Sequence, residues 1–301
     1  MKILITGAAG YIGSELCRYY TNQLSISTVI AYDNFSKGAN GLLDAGINRK
    51  KLQTFKADIL DNFKLRKALS GIDLVIHAAG VGSTYNTADK DIHHYEQVNH
   101  WGTAELVGIL EEKKIIRLIY LSTTDVIGYT TQADNISQSQ HISAFASSLG
   151  RAEEEIERLI ARKRATILRI GEVVGKSPNQ DTESPLNNMV ADAILLNRVQ
   201  IIGNGNNQFP YTHMGSIIGA CDAIISEKLD CGTYNLVDGN TMLREAADII
   251  MESIPELEVV FVAHHFQPAA SEVSNSLPES IKKEIPLQES LMMFLESFQV
   301  K

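Results

Sequence analysis

The chain has little of what several protein classes require. Its 301 residues include three cysteines, Cys17, Cys221 and Cys231, with no C-x-x-C pair and no metal-ligand spacing among them. A disulfide framework is therefore excluded, and the three read as small core or surface residues of a cytoplasmic protein. The histidines are scattered, and the neighbours His93-His94 and His264-His265 cannot both face one site on a regular element, so no metal site is expected. No basic run interrupts a net charge of −9, which argues against a nucleic-acid partner, because phosphate backbones are bound by clustered Lys and Arg. No stretch approaches the roughly 20 apolar residues of a membrane helix. The early run Ile3 to Ile5 is far shorter than a signal-peptide core. Repeats and low-complexity tracts are lacking too.

What is present is a balanced composition, 44% hydrophobic and 21% charged, with enough length for a nucleotide domain and a smaller companion. Short apolar runs at Lys2–Thr6, Thr28–Asp33, Leu52–Ala57, Leu74–Ala78, Ile116–Leu121 and Thr166–Arg169 read as strands, with helical patterns between most of them. That alternation predicts right-handed crossovers and a parallel sheet with ligands at the carboxyl ends of its strands. Beyond about residue 172 the rhythm loosens through a Ser/Pro/Asn-rich segment (Ser177 to Pro185) and a Gly/Asn-rich turn (Gly203 to Asn207). A tail carrying Leu287, Leu291, Phe294, Leu295 and Phe298 at helical spacing predicts a docking face.

Directly after the first strand stands Gly7-Ala8-Ala9-Gly10-Tyr11-Ile12-Gly13. Such spaced glycines let the backbone turn sharply and approach a pyrophosphate, whose charge the helix N-terminus then stabilises. The second strand ends on Asp33, 20 residues after Gly13, where a carboxylate accepts hydrogen bonds from the adenosine ribose and repels a 2′-phosphate. The two features together predict NAD rather than NADP. They also predict a Rossmann-type doubly wound parallel sheet over residues 1–171, with a smaller C-terminal α/β substrate lobe over 172–301, segments of the two being interleaved.

These motifs, with Asn34, Ala57-Asp58-Ile59, Ile76-His77-Ala78-Ala79, Asn99, Gly102-Thr103, Tyr120-Leu121-Ser122-Thr123, Leu168-Arg169 and Thr233-Tyr234-Asn235-Leu236, resemble the extended short-chain dehydrogenase/reductases. That family includes the NAD-dependent nucleotide-sugar epimerases and dehydratases, and the resemblance covers nearly the whole chain. It implies a cofactor site built from Gly7, Gly10, Tyr11, Ile12, Gly13, Asp33, Asn34, Ser36, Asp58, Ile59, Ala78, Ala79 and Ser122, with Asn99 bracing the sheet. Read from residues alone, Asp58 also suits a turn-forming role and Ala78-Ala79 also suit close strand packing. The resemblance further implies a homodimer through helices near His93–Glu112 and Phe145–Arg162.

The look-alike enzymes carry a Tyr and, four residues on, a Lys, which together move the proton of the reacting hydroxyl. Ser148 and Glu153 set the register, placing Phe145 at the Tyr position and Leu149 at the Lys position. Arg151, two residues beyond Leu149, turns to nearly the opposite side of the helix. Phe145, Leu149, Ala152, Ile156, Leu159 and Ile160 instead form one apolar stripe. Thr123 falls on the substrate-hydroxyl position and reads equally as a residue bonded only to backbone. Of the acidic pair carried by the dehydratases, Thr124-Asp125 keeps the second acid. Glu172 replaces a substrate-binding Asn, and Phe209 replaces an Arg that meets the diphosphate. His213 is expected to be structural.

The candidate catalytic residues are therefore Thr123, Tyr129 and Glu172, with Asp125 and His141 as further polar groups. The expected activity is that of an NAD(H)-binding protein of the epimerase/dehydratase type, acting on a small molecule such as a nucleotide sugar by a route without the Tyr–Lys relay. A non-catalytic NAD(H) or metabolite sensor is the rival expectation.

Overall fold

The computed structural model describes residues 1–82, 92–113, 116–127, 144–263 and 272–298. Among these described residues twelve strands follow in chain order: β1 (Lys2–Thr6), β2 (Thr28–Asp33), β3 (Leu52–Lys56), β4 (Leu74–His77), β5 (Arg117–Thr123), β6 (Ala165–Ile170), β7 (Glu172–Val174), β8 (Arg198–Ile202), β9 (Phe209–His213), β10 (Gly232–Leu236), β11 (Gly239–Thr241) and β12 (Glu258–Val262). The chain divides into two compact units. One comprises Met1–Arg169 with Ser177–Gln180 and Asp230–Thr233; the other comprises Ile170–Lys176, Asp181–Leu229 and Tyr234–Lys301.

The main sheet has seven strands in the order β10-β6-β5-β4-β1-β2-β3. β1 pairs in parallel with both β2 and β4, and β2–β3 and β4–β5 are parallel as well. The chain thus winds outward from β1 in one direction and then, from β4, in the other. The switch point between β1 and β4 is where an open sheet of this kind leaves a crevice beyond its carboxyl ends. The central strands form because Val, Ile and Leu fill them on both faces: β4 is buried throughout and β1 at four of its five positions, as a sheet covered by helices on both sides requires; the edge strand β3 has no buried position.

The helices of this unit are α1 (Tyr11–Thr21), α2 (Asn62–Ala68), α3 (Gly102–Glu112) and α4 (Ala144–Ile160). α3 is preceded by a short helix, Ile92–Tyr95, and a wider π-type stretch, Glu96–Trp101. The α4 stripe packs as its spacing predicts: Leu149, Ala152, Ile156 and Leu159 are buried with Leu106, Leu118 and Ile167 in one apolar cluster, and Phe145 and Ile160 flank it. The strands match their expected spans to within a residue or two. The fifth runs on to Thr123, carrying Ser122 and Thr123 to the edge of the crevice.

The second unit holds a three-stranded sheet, β11-β9-β7, and a two-stranded one, β12-β8. Its helices are α5 (Pro185–Leu196), α6 (Met214–Ile225), α7 (Leu243–Ser253) and α8 (Leu287–Glu296). Pro185 opens α5 where its missing N–H costs nothing, and Asn197 closes it in the left-handed conformation. The tail stripe docks through Leu287, Leu291, Phe294 and Leu295. Phe298 departs from that expectation: it lies past the end of α8 and stays 39% exposed.

Two buried polar features of the first unit carry measurable consequences. Arg169 on β6 holds Glu153 on α4 through Nε to both carboxylate oxygens (3.1 and 3.0 Å) and Nη2 to Oε2 (2.6 Å). Glu153→Ala leaves the partly buried guanidinium without its partner and is expected to destabilise the chain by about 2 kcal/mol in urea unfolding. His77 is fully buried, and burial lowers its pKa from 6.5 to about 3. The unfolded chain therefore binds a proton that the folded one refuses, and stability falls as pH drops below about 6.5, with a slope approaching 1.4 kcal/mol per pH unit. In His77→Gln that contribution disappears, so unfolding curves between about pH 6.5 and 5 are expected to be flatter than those of the unaltered chain.

Candidate functional site

The glycine turn is set by close approach. Gly7 has φ +65°, and a Cβ there would lie 2.6 Å from the Ala78 carbonyl oxygen. A Cβ on Gly13 would lie 2.0 Å from the Gly7 oxygen, so α1 can start against β1 only with glycine at that position. Gly10 differs: its φ is −72°, and a Cβ would meet a single atom within 4 Å, the Gly7 oxygen at 3.2 Å. Gly7 and Gly13 thus build the turn, while Gly10 leaves its outer side open. Tyr11 and Ile12 open α1, which has no side-chain cap hydrogen bond and no acidic residue in its first turn, so no acid of the helix itself offsets the positive end of its dipole.

Around this turn the predicted cofactor residues form one hydrogen-bonded rim. Asp33 accepts from the Ala9 amide through Oδ2 (3.0 Å) and from the Phe35 amide through Oδ1 (2.6 Å). Asn34 Nδ2 donates to Asp58 Oδ2 (3.0 Å) and Asn34 Oδ1 accepts from the Ser36 amide (3.0 Å). Asp58 Oδ1 accepts from the Leu60 amide (3.0 Å), so this carboxylate does hold its own turn. Ile59 is buried in the apolar cluster, against Gly102. Ala78 and Ala79 lie at the end of β4, facing the Gly7 turn at the distances above. The Ser122 hydroxyl is buried and has no hydrogen-bond partner among the described residues. An open-sided glycine cradle, an uncapped helix start and an orphaned hydroxyl fit a bound dinucleotide.

One element escaped the sequence reading. Ser177–Gln180 belongs to the first unit although the chain on either side belongs to the second. Asn179 Nδ2 donates to the Ala9 carbonyl (2.7 Å), and the Ser177 hydroxyl donates to the Tyr11 carbonyl (2.5 Å) and meets Ser14 Oγ (3.0 Å). The Ala9 main chain is therefore gripped at its N–H by Asp33 and at its carbonyl by Asn179. The polar composition of Ser177 to Pro185 was the visible signal, and it marks any loop.

At the end of β5, Thr123 Oγ1 accepts from the Asp125 amide (3.2 Å). The Asp125 carboxyl pKa is raised by the protein packed around it, with the Thr123 hydroxyl opposing the shift, although solvent still reaches its surface. On α4, Leu149 is buried and Phe145 packs edge-on against Tyr95, ring centroids 5.8 Å apart. Arg151 points elsewhere: it pairs with Glu96 and donates to Ser147 Oγ (2.9 Å). Tyr129 and His141 lie outside the described residues.

In the second unit Glu172 is half-buried on β7, in register with Tyr211 of β9. Phe209 packs against that unit's apolar cluster. His213 caps α6, its Nδ1 accepting from the Gly215 amide (3.0 Å), and burial lowers its pKa. Asp238 accepts from the His213 amide (2.6 Å), the Ile285 amide (2.9 Å) and the Ser216 hydroxyl (2.9 Å). A carboxylate in place of Ser216 would face Asp238 with nothing to donate. Serine at that position thus has a structural reason.

The model of the NAD dependent epimerase/dehydratase family matches residues 3–236. The chain belongs to that family. It is 27% identical to a dTDP-D-glucose 4,6-dehydratase of Dictyostelium discoideum over 78% of this chain, spanning 58% of that relative's length. It is also 27% identical to UDP-glucose 4-epimerase 2 of Arabidopsis thaliana, covering 94% of this chain and 89% of the relative. In fold it is similar to the crystal structure of UDP-glucuronic acid 4-epimerase from Bacillus cereus in complex with UDP-glucuronic acid and NAD, with a TM-score of 0.81, 21% identity and 98% of both chains covered. The family member described here keeps the glycine turn while burying Leu149 on α4.

The contrast between glycines gives a paired test. Gly10→Val is expected to fold, judged by circular dichroism, and to lose NAD binding in titration. Gly13→Val, whose side chain has no room against Gly7, is expected to lose at least about 3 kcal/mol of stability.

Proposed function

We propose that this chain binds NAD(H) on its first unit and acts on a small molecule, a nucleotide sugar being the class its family points to, without a phenol–ammonium relay. The observation that carries the cofactor half is the open side of Gly10 beside the Asp33 carboxylate. The main-chain amides at the start of α1 would hold the pyrophosphate, Asp33 the adenosine ribose, and Asn34, Ser36, Asp58 and Ile59 the adenine side. Ala78, Ala79 and Ser122 would line the way to the nicotinamide. When bound, NAD supplies a hydride acceptor.

The chain's own contribution to proton movement is what differs. Phe145 has no proton to give, and the Leu149 side chain stands within an apolar cluster where an ammonium would be desolvated. Thr123 can orient a ligand oxygen, and Asp125 is the acid–base group nearest that hydroxyl in sequence; Tyr129 and Glu172 remain further candidates. A second reading, a non-catalytic sensor of NAD(H) or a metabolite, is favoured by the same packing of Phe145 on Tyr95.

Calorimetry is expected to show NAD(H) binding in the micromolar range or tighter and NADP(H) binding markedly worse. Equal affinities would sink the role of Asp33. With a panel of nucleotide sugars followed by NMR, the unaltered chain is expected to show no oxidation or epimerisation of the usual family type, since an acid–base relay is worth about 10² to 10⁴ in rate. Robust turnover would refute the claim that the relay is needed, and product formation by Phe145→Tyr with Leu149→Lys would show that only the relay was lost. Leu149→Lys alone is expected to cost at least about 2 kcal/mol in unfolding, because its charge is buried without a partner.

A further inference from the structure

Beneath the predicted cofactor turn lies a hydrogen-bond circuit whose proton positions can be worked out one by one. Thr6, His77, Asn99 and Thr103 are all fully buried. Thr103 has one hydroxyl proton and donates it to the Asn99 carbonyl (2.6 Å). Toward His77 Nε2, 2.9 Å away, Thr103 can therefore only accept, which places the imidazole proton on Nε2. His77 Nδ1 is then an acceptor, and the Thr6 hydroxyl at 2.6 Å must be its donor. Thr6 Oγ1 in turn accepts from the Ala79 amide (3.3 Å). The circuit closes through the side chain of Asn99, whose Oδ1 accepts from the Val81 amide (2.8 Å) and whose Nδ2 donates to the Val81 carbonyl (3.2 Å).

Residues 79 and 81 are thus both tied to one ring of buried groups running from Thr6 through His77 and Thr103 to Asn99. From the Ala79 amide to the Asn99 carbonyl every donor points in one direction, and the arrangement tolerates a single imidazole tautomer. Burial keeps His77 neutral, and its ring stacks on Tyr120 (centroids 5.4 Å apart, planes at 30°), which limits its tilt. The same Asn99 Nδ2 also donates to Ser148 Oγ (3.1 Å), whose hydroxyl donates to the Phe145 carbonyl (2.8 Å). The segment held this way is the one against which Gly7 leaves no room for a Cβ, at the switch point between β1 and β4.

We propose that the circuit Thr6–His77–Thr103–Asn99 is the positioning device for cofactor binding, holding the main chain of residues 79–81 at the height the dinucleotide needs. The inference rests on the NAD reading above. The residues need not touch the cofactor: they act through the Ala79 and Val81 amides.

The test opens the ring at one atom. Thr6→Val removes the hydroxyl while keeping the shape, Thr6→Ser keeps the hydroxyl, and His77→Leu removes the centre of the ring. NAD affinity is measured by calorimetry, and amide exchange of the cofactor-free protein by NMR. Thr6→Val is expected to bind NAD about tenfold more weakly, the effect of about one hydrogen bond, with Ala79 and Val81 exchanging at least about tenfold faster and the remote strands unchanged. Thr6→Ser should stay within about twofold of the unaltered chain on both measures. His77→Leu should reproduce Thr6→Val or exceed it. NAD affinity within about twofold of the unaltered chain in a folded Thr6→Val would overturn the proposal, as would exchange that rises evenly through the chain. Failure of the unaltered chain to bind NAD would refute the cofactor reading and this inference with it, so the two failures are told apart.

Discussion

The contact on which the rest of the first unit depends is that of two backbones with no side chain between them. The Gly13 α-carbon lies against the Gly7 carbonyl, and Gly7 lies against Ala78 and Ala79. This lets α1 begin immediately at the end of β1, next to β4, and so brings an uncapped helix start to the place where the winding of the sheet reverses. Main-chain amides concentrated at a helix start favour an anion there. A protein of net charge −9 can therefore still offer a site suited to a diphosphate.

Around that contact the polar groups are arranged to fix the backbone. Asp33 and Asn179 hold the Ala9 main chain at its N–H and its carbonyl, and the ring through His77 holds the facing segment. Most of these groups are buried, where an unmade hydrogen bond costs more than a made one returns. The consequence is a turn with one permitted geometry, and it explains why a group as costly to bury as an imidazole sits beside it.

The α4 helix shows the opposite treatment. Its inward face at Leu149, Ala152, Ile156 and Leu159 is continuous apolar packing, with Phe145 set on Tyr95. Yet Ser148, one residue before Leu149, keeps its bonds to Asn99 and to the Phe145 carbonyl. The polar bonds on that side of α4 are thus kept, while Phe145 and Leu149 beside them are hydrophobic. In the second unit Phe209 packs against an apolar cluster and the Ser216 hydroxyl donates to Asp238, so both side chains are held by their own unit.

By itself the sequence determined the parallel sheet, its strand spans, the glycine turn with Asp33, and the apolar stripe of α4. Those features are local: a run of Val and Ile, a spacing of glycines, a period of 3.6 residues. It also marked Asp58, Ser122 and Thr123 as lying at strand ends. Only the tertiary structure separated Gly10, with its open side, from Gly7 and Gly13, because room for a Cβ depends on atoms from β4 and α1 and not on the motif. It alone showed that Asp58 ties its own turn, that Ile59 faces the core, and that Asn179, 170 residues from Ala9, grips the glycine turn. The circuit through Thr6, His77, Thr103 and Asn99 was invisible for the same reason. Its members are spread over 98 positions, from 6 to 103 inclusive, and a hydrogen bond between distant residues leaves no periodicity for a sequence to display.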